Sequence, residues 1–187
     1  MGILTRLSSS AVVVLALASC GPAAADVAAG PGPTNYTVQP QPAAGSCHYR
    51  TAADGQNLPD PNCTPGAVNP KVTPDTLEAT ICRTGYTKSI RPPKEITEAE
   101  KKANAAAYNY TGPLSTAEYD HLVPLELGGD PNDPRNLWVQ PGPSPNPKDD
   151  VELQLHDLVC RGMVPITIAQ QAIATDWTTA VRVVSGN

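Results

Sequence analysis

The segment Glu118-Tyr119-Asp120-His121-Leu122-Val123-Pro124-Leu125-Glu126-Leu127-Gly128-Gly129 is followed by Asn136-Leu137-Trp138-Val139-Gln140 and then by Asn146-Pro147-Lys148-Asp149. Residues 115–127 read as a strand entering a turn. Gly128-Gly129-Asp130-Pro131 and Asn132-Asp133-Pro134 mark the chain reversal, because Gly, Pro, Asn and Asp supply the dihedrals that tight turns need. Residues 136–140 form a second short strand, and Pro141 to Pro147 is a proline-spaced loop. From Asp149 to Cys160, Val151, Leu155, Leu158 and Val159 recur at helical spacing, with Gly162 as a stop. Strand, turn, strand and helix in this order predict an α+β domain.

The same stretch concentrates chemistry. A lone Asp-His pair is weak evidence. Here Asp120-His121 is joined by Pro124-Leu125, a Gly-Gly turn, Asn136 after fourteen intervening residues and Asn146 after nine more. Histidine is suited to deprotonating a water, since its unperturbed pKa lies close to the working range.

With these residues in this spacing, the segment resembles the HNH endonuclease family, also described as the ββα-metal or His-Me finger, over about residues 116–160. Cys160-Arg161-Gly162, Ala169-Gln170 and Ile173-Ala174-Thr175-Asp176-Trp177 also resemble exported bacterial HNH-like proteins with disulfides. The resemblance implies a small disulfide-stapled domain, with a ββα-metal finger followed by a C-terminal helix. It implies His121 as general base and Asp120 as an oxygen ligand to a divalent ion, Mg²⁺ or Mn²⁺. Asn146 stands at the third motif position as a further ligand, and Asn136 holds the loop between the strands and so orients the base. Because Asp120 and His121 are adjacent, the strand must end or twist there for both to reach one site. Glu118 and Lys148 are auxiliary candidates, as metal-site acid and phosphate contact. His156, one helical turn from Glu152, reads more simply as a structural histidine. The implied substrate is nucleic acid, DNA more than RNA, attacked with low sequence specificity. The other reading keeps the scaffold as a non-catalytic envelope module, since fold alone does not fix function.

Working outward, Asp75 to Thr80 reads as a short helical turn capped by Asp75, Tyr86 to Arg91 as an extended piece, and Thr97 to Tyr108 as a capped helix. A last helix is expected from Thr167 to Val181, with Ile168, Ala172 and Ile173 on its buried side. Trp138 and Trp177 are the largest candidate core residues in a chain without phenylalanine. Between Arg83 and Lys102, six bases face three acids. That local surplus contrasts with a formal net charge of −5, which excludes coating nucleic acid by bulk charge.

The 187 residues allow one domain with tails. Arg6, the apolar run Ala11 to Ala18 and then Ser19-Cys20-Gly21 have the layout of a secretory leader. Leu17-Ala18-Ser19-Cys20 resembles a bacterial lipobox, which makes residues 1–19 the signal peptide and Cys20 the lipidated first residue of an envelope lipoprotein anchored to the membrane. Cleavage after Ala25 is the alternative and releases a secreted protein. Residues 20–46, rich in Ala, Pro, Gly and Gln, read as a tether, with the HNH-like domain spanning 47–187. Cys47, Cys63, Cys82 and Cys160 remain, an even set in an exported chain. Of three connectivities, Cys47 with Cys63 and Cys82 with Cys160 is favoured: one closes a short proline-rich loop, the other ties mid-chain to the late helix.

Overall fold

The computed structural model describes Gly2 and residues 26–186. The expected leader apart from Gly2, the expected lipidation at Cys20 and the alternative cleavage after Ala25 lie outside the described residues. The order is β1 (Arg50–Thr51), β2 (Asn57–Leu58), α1 (Tyr86–Ser89), α2 (Lys94–Ala107), β3 (Ala117–His121), β4 (Leu137–Pro141), α3 (Pro147–Cys160), α4 (Ile166–Thr175) and α5 (Ala180–Val184). Short 3₁₀ segments lie at Pro74–Ala79, Leu114–Thr116 and Leu125–Leu127. The fold is α+β, with two antiparallel two-stranded sheets, β1 with β2 and β3 with β4.

In the β3–β4 sheet Asp120 stands opposite Trp138, and His121 opposite Leu137. Helix α3 follows directly and packs against the 3₁₀ turn Leu125–Leu127. The main core joins Leu125, Leu127, Leu155, Val159, Ile166, Ala169, Ile173 and Trp177, and a second cluster gathers Leu122, Trp138, Ala107 and Tyr108. Both tryptophans are buried. Aromatic rings of this size contribute the most burial per residue, and here they substitute for the missing phenylalanines.

Disulfides link Cys47 to Cys63 and Cys82 to Cys160. By loop-closure entropy, separations of 16 and 78 residues give stabilisation of about 3 and about 4.5 kcal/mol. Such bridges fit an extracellular or envelope setting. Among the described residues no helix is long and apolar enough to cross a membrane.

Local structure departs from the sequence expectations where tertiary contacts override pattern. The segment from Tyr86 is the short helix α1, not an extended piece: Gly85 turns the chain in a left-handed conformation, and the buried Tyr86 hydroxyl accepts from Asn69 Nδ2 at 3.0 Å. The turn at residues 74–79 is capped by Thr73, which shares a capping box with Thr76, so Asp75 lies inside it. Helix α2 begins at Lys94 behind Pro93, one turn before Thr97. The expected last helix is two, broken at Asp176, whose carboxylate accepts from the Thr178 backbone and hydroxyl. Ile168 is exposed; the buried stripe of α4 is Ile166, Ala169 and Ile173.

The larger correction concerns residues 26–46. Instead of a free tether, this segment is laid across the domain as an extended strap. Ala29 bridges Val68, and Gly30 N donates to Val68 O at 2.8 Å. Gly32 N donates to Asp130, Asn132 donates to Thr37 O, and Gln39 N donates to the buried Glu100. Its backbone polar groups find partners on the folded domain, which composition alone cannot reveal.

Candidate active site

Asp120 and His121 end β3, and the chain then leaves the sheet toward Pro124. Terminating the strand there solves the problem of adjacent residues facing opposite ways, because both line the same pocket. This pocket of about 60 Å³ is also lined by Glu118, Glu126, Asp149, Glu152 and Arg91. Five carboxylates thus surround one histidine and one arginine.

The histidine is held by its backbone surroundings. His121 Nε2 lies 3.0 Å from Pro131 O. A carbonyl only accepts, so Nε2 carries the proton and Nδ1 keeps the lone pair. Burial pushes the imidazole down to about 4, outweighing the Pro131 bond and the Asp120 charge, which raise it. The ring is therefore neutral at physiological pH, with the Nδ1 lone pair as its basic site.

Asn136 builds the loop that carries Pro131. Its Nδ2 donates to Val123 O at 2.9 Å and Asp130 O at 3.0 Å, and its Oδ1 accepts from Val123 N at 2.9 Å. Gly129 completes the close approach, for a Cβ there would lie 1.8 Å from Val123 O. Asn136→Ala leaves buried backbone groups without partners. Each costs about 1–3 kcal/mol, so urea unfolding is expected to show a loss of roughly 2–4 kcal/mol; a loss below 0.5 kcal/mol, on the order of a surface substitution, would contradict this role.

Asp120 is engaged from below. Its Oδ2 accepts from Trp138 Nε1 at 3.0 Å and lies 2.9 Å from Lys148 Nζ. Lys148, wholly buried, also reaches Glu152 Oε1 at 2.5 Å and His121 O at 2.7 Å. Burial disfavours the ammonium, but Asp120 and Glu152 outweigh it and raise the lysine above its ordinary value. Lys148 is thus an internal counter-ion and not a surface phosphate contact.

Asn146 is the N-cap of α3. Its Oδ1 accepts from Lys148 N at 2.9 Å and Gln140 Nε2 at 3.1 Å, while its backbone N donates to Asp149 in a reciprocal capping box. Pro147 at the first helical position suits this start. Asn146 does not line the pocket; it reaches it through Glu118, whose Oε2 accepts from Asn146 Nδ2 at 2.8 Å. Burial first, then Asp120 and Asp149, hold Glu118 above the usual carboxylate range.

His156 stands apart, with Nε2 3.0 Å from Ile81 O and 3.4 Å from Cys160 Sγ. Cys82, His156 and Cys160 could converge on an ion, their ligand atoms lying within 4.8 Å of one another. The two sulfurs are bonded to each other, however, and a disulfide offers no thiolate to a metal. Sequence reasoning held Arg91 only as one of the bases between Arg83 and Lys102, and it missed Glu126, Asp149 and the pairing of Lys148 with Glu152. The last had a readable signal in its i,i+4 spacing. Compared with protein-family models, curated proteins and solved structures, the chain matches none of them.

Proposed function

We propose that this protein is an exported, divalent-metal-dependent phosphodiesterase of the HNH type acting on nucleic acid, with His121 as general base. The observation that supports this best is an imidazole whose Nε2 is fixed on Pro131 O, beside hard-oxygen donors in one pocket. The donor set fits Mg²⁺ or Mn²⁺, which prefer carboxylate oxygen. Asp120 and Glu118 would hold the ion, with Asn146 orienting Glu118 rather than ligating. Such an ion supplies positive charge at the scissile phosphate. His121 takes the proton of the attacking water at Nδ1, Asn136 keeps the Pro131 carbonyl in place, and Arg91 meets the substrate backbone at the pocket rim. Plasmid nicking that depends on the ion and is lost in His121→Ala tests this reading.

The scaffold alternative has one observation in its favour: Lys148 already supplies Asp120 with a counter-charge from the chain itself.

The acid excess gives a thermodynamic test. Burial raises Glu152 to about 7, with Lys148 opposing and Asp120 adding to the rise, and Glu118 moves in the same direction. Carboxyls raised on folding contribute stability below their unfolded value, which is lost as pH rises through the folded one. His121 acts oppositely, losing stability as pH falls from 6.5 through about 4. An ion relieves the repulsion only where the carboxylates are ionised. At 100 times its dissociation constant it adds about 2.7 kcal/mol, which is roughly 5–10 °C in Tm for a domain of this size. Millimolar Mn²⁺ or Mg²⁺ is expected to raise Tm by that order at pH 7.5 and by much less at pH 5. An absent shift at both pH values would contradict an ion site.

We further propose the lipoprotein form, on the Leu17 to Cys20 match. Mass spectrometry of the mature protein is expected to find a diacylglyceryl Cys20; an unmodified Asp26 terminus would contradict it.

A further inference from the structure

We infer that the N-terminal strap is a positioning element of the site, acting on His121 through the turn that carries Pro131. The inference rests on the proposed role of His121, and the strap has no other assigned work.

Among the described residues the His121 ring is held by the acceptor Pro131 O. Pro131 lies between Asp130 and Asn132, and the strap grips both neighbours. Gly32 N donates to Asp130 Oδ2 at 2.6 Å, and Asn132 Nδ2 donates to Thr37 O at 2.9 Å. The other oxygen of Asp130 accepts from Asn132 N at 3.0 Å and Asp133 N at 2.9 Å, so one buried carboxylate ties the strap to the turn. Asn136 secures the opposite side by donating to Asp130 O at 3.0 Å. The strap also passes very close to the turn: a Cβ on Gly30 would lie 2.3 Å from Asp130 Oδ2 and 2.9 Å from Asp133 Oδ2. Farther along, Gln39 N on Glu100 Oε1, at 2.7 Å, fixes the segment beyond Thr37. Residues 30–39 therefore form a clamp, and without it the Pro131 carbonyl loses two of its restraints. A histidine freed from that carbonyl can place its proton on either nitrogen, and only the Nε2–H form leaves Nδ1 as the base.

The test uses full-length mature protein with ¹⁵N-labelled histidine. Long-range ¹H–¹⁵N spectra report the His121 tautomer, and cleavage kinetics report function. Gly30→Ala drives a methyl into Asp130, while Asn132→Ala removes the side-chain contacts with Thr37 O and with Glu100, which anchors the strap at Gln39. Both are expected to turn a single Nε2–H tautomer into a mixture and to lower kcat at least tenfold, with KM within about twofold. Tyr49→Phe, which removes a hydrogen bond to Val139 O away from the strap, is expected to lower Tm and leave the tautomer unchanged. An unchanged tautomer in folded Asn132→Ala and Gly30→Ala would overturn the inference. A mixed tautomer in Tyr49→Phe as well would also overturn it, by showing that loss of stability alone is enough. The spectra decide the matter even if the wild type cleaves nothing, an outcome that would reject the nuclease reading alone.

Discussion

Lys148→Met is expected to lower the unfolding free energy by about 3–5 kcal/mol, among the largest effects of any single substitution in this domain. Methionine replaces the length of the side chain but not its charge. In the wild type the ammonium bridges Asp120 at 2.9 Å and Glu152 at 2.5 Å, and donates to His121 O at 2.7 Å. Without it two nearly buried carboxylates face each other and a backbone carbonyl loses its donor. Water cannot solvate them cheaply, since Lys148 is wholly enclosed. Part of the loss is expected to return in Lys148→Met with Glu152→Gln, which removes one stranded charge. Urea unfolding of the single and double variants measures both steps. A single variant within 1 kcal/mol of wild type would show that the ion pair is dispensable, as surface pairs usually are.

The second large effect is on the reaction. His121→Ala is expected to reduce nucleic-acid cleavage by about 10²- to 10⁴-fold, the usual contribution of a positioned general base. The loss is expected in kcat more than in KM, because in the proposed mechanism the imidazole acts on water and not on the substrate backbone. The contact between Lys148 and the His121 carbonyl is made through the main chain and survives the substitution. A folded but inactive variant therefore separates the chemistry of the ring from the stability of the pocket.

The strand–turn–strand–helix order was legible because its signals are local: the Gly, Pro, Asn and Asp cluster at 128–134 that marks the reversal and helical spacing in 151–159. Asp120 and His121 could be singled out by residue type and spacing, and the structure brings them to one pocket. What escaped were features that depend on distant chain. The strap of residues 26–46 has no periodicity; it is ordered by hydrogen bonds to residues up to about a hundred positions away, such as Asp130 and Asn132. Asn146 carries the signature of a ligand and of a helix cap equally well, and only the geometry shows the cap. Ile168 illustrates a smaller ambiguity, since a short apolar helix has several plausible faces until its neighbours choose one.

The most direct test is to incubate purified mature protein with supercoiled plasmid and Mg²⁺ or Mn²⁺, beside His121→Ala and a chelator control. Ion-dependent conversion to nicked and linear forms by the wild type, at least a hundredfold faster than by the variant, is expected. Equal cleavage by both proteins would reject His121 as the base, and no cleavage with any divalent ion would reject the nuclease reading itself.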